Sequence, residues 1–197
     1  LIVEYLDDAY PEIPARPSEP EAIHKVRLWM KQIDAFQQYT GPITYGIAVR
    51  KLQMNKSDEE KEADLQNIPD PVKRQARKET MEKGIDAPIV INSLRKAGEF
   101  LDQLEANIED SGWIAGDKFS MADACTLPYI QRLDHLALSE AFREEKRPKI
   151  NKWYKKVKDL DFFDKAVTSQ IPPPLVEMMN TFGEEVKDRA LTLMEEN

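Results

Sequence analysis

The apolar residues of this chain return every three or four positions and almost nowhere every second one. No alternating apolar–polar run is long enough for a half-buried strand, and 197 residues contain only 7 glycines. The sequence therefore predicts an all-α fold. In the first long segment Ile23, Val26, Met30, Ile33 and Phe36 share one helical face. The period recurs at Ile91, Leu94, Leu101, Leu104 and Ile108, and again at Leu175, Met178, Met179, Phe182, Val186, Ala190 and Leu193.

Caps and prolines divide this pattern into elements. Residues 1–8 read as the end of a helix stopped by Pro11. A long helix starts near Glu19 or Pro20, because proline suits a first turn. Gly41-Pro42 is expected to bend or break it, with a second part over 43–54. Ser57 and Glu60 have capping-box spacing and open a short acidic helix. Asn67-Ile68-Pro69-Asp70-Pro71 reads as a rigid turn, followed by a helix over 72–83 that Gly84 ends. Further helices are expected over 89–108, 148–160 and 162–167. After Pro172-Pro173-Pro174 a single last helix is expected over 175–194.

The strongest local signal is Gly112-Trp113-Ile114-Ala115-Gly116-Asp117-Lys118-Phe119-Ser120-Met121-Ala122-Asp123-Ala124. It reads as a tight loop feeding a capped, mostly apolar helix over 120–136. The Ser120 hydroxyl can accept from a first-turn N–H, and Asp123 can reach back to the N–H of Ser120. The carboxylate also suits the positive end of the helix dipole. Phe119 and Ala124 are spaced for a weak hydrophobic staple, and Pro128 predicts a kink.

Composition excludes several classes of function. Hydrophobic residues make up 41 % and charged residues 32 %, as in a globular protein. A formal charge of −8 argues against a nucleic-acid surface, and the basic stretch 146–158 is flanked by Glu144, Glu145, Asp159 and Asp161. No apolar run reaches the about 18 residues of a membrane span, and the first residues do not form a signal peptide. A lone cysteine, Cys125, permits no internal disulfide and fits a reducing, cytoplasmic setting.

A self-contained active site is not visible. There is no phosphate loop, no paired-cysteine zinc pattern and no histidine-rich metal motif, so no metal is expected. His24 and His135 stand alone, as surface or packing residues. Cys125 is either a small buried hydrophobe or a thiolate helped by the helix N-terminus. Trp29, Trp113 and Trp153 read as packing anchors. The long early helix carries apolar residues beyond one stripe, namely Leu28, Trp29, Met30, Ile33 and Phe36, an excess that suits a partner surface.

The run Trp113-Ile114-Ala115-Gly116-Asp117-Lys118-Phe119-Ser120-Met121-Ala122-Asp123 closely resembles the signature that opens the central helix of the C-terminal domain in glutathione S-transferases. Leu1-Ile2-Val3-Glu4-Tyr5-Leu6-Asp7-Asp8-Ala9-Tyr10-Pro11 looks like the last helix of that family's thioredoxin-like α/β domain, and Ile13 to Pro20 looks like the interdomain linker. The stretch from Lys146 to Phe163 resembles the family's late helices. The resemblance implies three parts: residues 1–10 from the thioredoxin-like domain, 11–19 the linker, and 20–197 the helical bundle. It also implies a thioredoxin-like portion before Leu1, which would hold glutathione and supply the residue that activates its sulfur.

The same resemblance implies the function. The family joins glutathione, its co-substrate, to electrophilic small molecules, often in detoxification and as homodimers. The helical domain walls the electrophile's pocket, which points to Tyr39, Tyr45, Tyr129 and Arg132, then to Gln37 and Arg50. Phenols gathered at the Gly41-Pro42 bend suit an aromatic substrate, or else are half-buried core residues with wet hydroxyls. Arg132 either steers an anionic substrate or a glutathione carboxylate, or faces water. The alternative is a non-catalytic member of the family, a binding or interaction module. The insertion over 56–87, with Arg74, Arg77 and Gly84, is similar to that of bacterial β-aryl etherase-like transferases and of an animal mitochondrial relative. That relative has a C-terminal membrane anchor, which the charged tail 184–197 does not resemble.

Overall fold

Several helices begin where the sequence supplies a side-chain cap or a first-turn proline. A computed structural model describes residues 2–196, all of it helices and connecting turns, with no strand among the described residues. The termini of the expected domain ranges, Leu1 and Asn197, lie outside the described residues. Helix α1 spans Ile2–Ala9 and α2 spans Pro20–Thr44 with Pro20 in its first turn. Short α3, Arg50–Met54, leads to α4, Asp58–Gln66. The Ser57 box closes as expected: Ser57 N–H donates to Glu60 Oε2 at 2.8 Å and Glu60 N–H to Ser57 Oγ at 3.2 Å. Helix α5 spans Pro71–Lys83 and starts on Asp70, whose Oδ1 accepts from the N–H groups of Val72 and Lys73.

Next come α6 (Pro88–Asn107), α7 (Met121–His135), α8 (Pro148–Lys158) and the single turn α9 (Phe163–Ala166). Helices α10 (Pro173–Glu184) and α11 (Lys187–Glu195) end the chain.

Two expected boundaries differ. Pro42 does not break α2. The proline lacks the N–H that would bond the Gln38 carbonyl, yet the helix runs on to Thr44 and relaxes into a π-helical turn over Tyr45–Val49 before α3. The wider turn accommodates the lost bond without a break. The last helix is two helices, bent at residues 185–186. Its Gly183 lies so close to α7 that a Cβ there would sit 2.0 Å from the Leu136 carbonyl oxygen. A straight helix over 175–194 could not keep that contact and also lay α11 along α6, where Leu193 and Ala190 are fully buried.

The core lies among α2, α6, α7 and α8. Trp29, Phe100 and Phe36 form a ring stack with centroids 5.6 and 4.2 Å apart. Each such ring contact adds about 0.5–1.5 kcal/mol beyond the area it buries. The apolar excess of α2 is largely accounted for here. Trp29, Ile33 and Phe36 are buried, Met30 packs against the core, and only Leu28 stays exposed.

Asp123 ties the α7 start to the rest of the bundle. It is fully buried. Its Oδ2 accepts from the Ser120 N–H and the Ser120 hydroxyl, both at 2.9 Å. Its Oδ1 accepts from the Ile114 N–H at 3.1 Å and from Trp153 Nε1 of α8 at 2.8 Å. The cap read from the sequence is thus also a junction between loop, α7 and α8. The Phe119 ring meets Trp113 and Phe162 edge-on at 5.7 and 5.4 Å.

Candidate functional site

The ring stack inside α2 and α6 ends at Tyr129 of α7. Phe36 and Phe100 hold its ring edge-on, with centroids 5.7 and 6.4 Å away. Burial, with Cys125 and Asp34 nearby, pushes the phenol above its usual range, so Tyr129 keeps its proton and can donate. Tyr45 reaches the same place from the π-helical turn, and the Arg77 guanidinium of α5 lies over its ring at 3.7 Å. Arg132 follows Tyr129 by three residues on α7, hence on the same face. Its Nη1 lies 2.7 Å from the Met179 sulfur of α10.

These side chains line one pocket of about 510 Å³, with Thr40, Gly41, Thr44, Val49 and Pro128 completing its wall. No carboxylate lines it. A larger open groove, about 1110 Å³, lies between the linker and the loop before α7. Its wall holds Asp7, Asp8, Glu109 and Asp117, with Arg16 already hydrogen-bonded to Asp7 and Asp8. None of the four residues implied by the resemblance lines that groove, and the smaller pocket alone combines phenols with cations.

The residues selected from the sequence therefore separate. Tyr45, Tyr129 and Arg132 come together. Tyr39 is not among the lining residues; it is half-buried one turn earlier, its ring tilted against Phe36 at 6.3 Å. Gln37 is exposed. Arg50 turns to Gly84, where a Cβ would collide with its Nη1 at 1.9 Å, so the left-handed Gly84 (φ 58°) makes room for the guanidinium beside the end of α5. Burial pushes the Cys125 thiol up, which disfavours the thiolate. His24 is exposed, and no group of three or more metal-binding side chains is present among the described residues. No described helix is long and apolar enough to cross a membrane.

Arg77 was not a candidate from the sequence. The available signal was that α5, Pro-Val-Lys-Arg-Gln-Ala-Arg-Lys-Glu-Thr-Met-Glu-Lys, has almost no apolar face. Thr80 is the one buried residue of α5, and Arg74 and Arg77 are half-buried through their long stems. Arg74 secures the Pro69-Asp70-Pro71 turn by donating to the Ile68 carbonyl at 3.0 and 2.8 Å. Arg77 goes to the pocket.

Residues 69–161 match the profile of the glutathione S-transferase C-terminal domain. A solved structure with a similar fold is that of the β-etherase LigF from Sphingobium sp. strain SYK-6. The two superpose with a TM-score of 0.67 at 22 % identity, over 90 % of this chain and 70 % of that one. At this identity the likeness carries the fold alone. No curated protein matches the sequence.

Proposed function

We propose that this chain supplies the co-substrate wall of a glutathione transferase acting on an electrophilic aromatic molecule. The observation that carries the reading is the meeting of Tyr45, Tyr129 and Arg132 in one pocket, on a chain whose residues 69–161 match this family's profile. In this reading glutathione is held and its thiol activated by a thioredoxin-like domain. The thiolate sulfur forms a bond to the electrophilic carbon, and the leaving group departs with its bonding pair. Rate comes from the lowered thiol pKa and from holding both reactants together.

The pocket residues have distinct parts in that step. The Tyr45 and Tyr129 rings offer apolar faces to an aromatic substrate. The Tyr129 hydroxyl, still protonated, donates to charge that develops on the leaving group. Arg132 adds fixed positive charge at the rim. Cys125 is not among the residues lining the pocket.

Glutathione-dependent turnover of chloronitrobenzenes by the intact protein, thioredoxin-like domain included, followed by absorbance, tests the proposal. Conjugate formation that falls when Tyr129 is replaced by Ala supports it. Aromatic binding without turnover would favour the non-catalytic module.

A further inference from the structure

We infer that the pocket selects an aromatic substrate bearing a carboxylate, held by Arg77 and Arg132. The inference rests on reading this pocket as the co-substrate site.

Acidic residues outnumber basic ones, 36 to 28. Carboxylates are therefore plentiful, and many basic side chains have one: Arg16 takes Asp7 and Asp8, Lys25 takes Glu109, Arg147 takes Asp102, Lys187 takes Glu140. Among the described residues Arg77 and Arg132 have none within 4.0 Å, yet both line the same pocket, and no acidic residue shares it. Burial disfavours the charge on Arg132. An arginine cannot relieve this by losing its proton. A bound anion can.

Geometry specifies the anion further. The Arg77 guanidinium lies over the Tyr45 ring, and both residues line the pocket. A stacked guanidinium of this kind presents a planar fork, which matches a carboxylate through two parallel hydrogen bonds. Tyr129 lines the same pocket with its ring fixed by Phe36 and Phe100. A flat ring between the phenols, with its carboxylate toward the arginines, satisfies both features. Thr40 and Thr44 add neutral hydroxyls and no competing negative charge.

The test compares 4-chloro-3-nitrobenzoate with the neutral 4-chloro-3-nitrobenzamide by calorimetric binding to this chain. The benzoate is expected to bind at least about tenfold tighter, and the preference should shrink as salt is raised. Arg77→Gln and Arg132→Gln should each weaken the benzoate about tenfold and leave the benzamide nearly unchanged. Arg77→Lys should recover only part, because it restores charge without the fork. Equal binding of the two probes, no binding of either, or a preference that survives both substitutions overturns the inference. Displacement of the benzoate by glutathione would overturn it too, by showing that the arginines serve glutathione's own carboxylates. The two readings fail separately. Charge-blind binding with conjugation intact removes only the carboxylate. A charge preference without any conjugation removes only the transferase.

Discussion

The guanidinium of Arg77 lies 3.7 Å over the ring of Tyr45, joining the insertion helix α5 to the π-helical turn that follows α2. This contact holds Tyr45 against the pocket, and Tyr45 is itself only 9 % exposed. Tyr45→Phe should therefore change stability by less than about 1 kcal/mol, whereas Tyr45→Ala should cost about 3–5 kcal/mol. Urea unfolding of the two variants checks this. A cost for Tyr45→Phe as large as that for Tyr45→Ala would show that the hydroxyl, and not the ring, holds the turn.

Asp123 accepts hydrogen bonds from Trp153, Ile114 and Ser120 while fully buried. Asp123→Ala should cost about 3 kcal/mol or more, because it strands buried donors as well as removing the cap. Asp123→Asn should cost less, since one oxygen remains as an acceptor. In a double-mutant cycle with Trp153→Phe the two losses should couple by about 1–2 kcal/mol. Additive losses would remove the junction between α7 and α8.

Two glycines should respond in opposite directions. Gly183→Ala places a methyl 2.0 Å from the Leu136 carbonyl oxygen, which is backbone and must move, so the melting midpoint should fall by several degrees. Gly41 lies inside α2 with nothing within 4 Å of a new Cβ. Gly41→Ala should stabilise by about 0.5–1 kcal/mol. Thermal scans of both variants decide the matter, and a stabilised Gly183→Ala would deny the close approach of α10 to α7.

Burial first, and Arg132 second, lowers the His135 pKa against a smaller opposing effect from Asp134; its Nδ1 is buried without a partner. A depressed folded value means that the unfolded chain binds the proton more readily. The stability His135 contributes is complete above about pH 6.5, its unfolded pKa, and is lost as pH falls through the folded value. Urea midpoints at pH 7.5 and 5.5 should therefore differ more in the wild type than in His135→Gln. An equal difference in both would assign the acid sensitivity elsewhere.

Much of this fold is legible in residue order alone. Local hydrogen bonds fix the caps at Ser57, Asp70 and Ser120, and periodicity fixes the faces of α2 and α6, so both can be read along the chain. The bend at 185–186 cannot, because it depends on Gly183 meeting the Leu136 carbonyl, nearly fifty residues away. The passage of α2 through Pro42 likewise depends on a π-helical turn that no local pattern announces. In the candidate site, Tyr45, Tyr129 and Arg132 were accessible through resemblance to the family. Arg77 was not, since its role comes from stacking on a ring thirty-two positions earlier in the chain. Tyr39 illustrates the reverse: a phenol beside the bend, six residues from Tyr45, is turned away by helical phase toward Phe36.

The central claim is that the Tyr45–Tyr129–Arg132 pocket receives the electrophile and not glutathione. Steady-state kinetics of glutathione conjugation, with each substrate varied in turn, test it most directly in Tyr129→Ala and Arg132→Gln. The account predicts a KM for the aromatic substrate raised about tenfold in each variant, with the KM for glutathione unchanged. A raised KM for glutathione with that for the aromatic substrate untouched would contradict it.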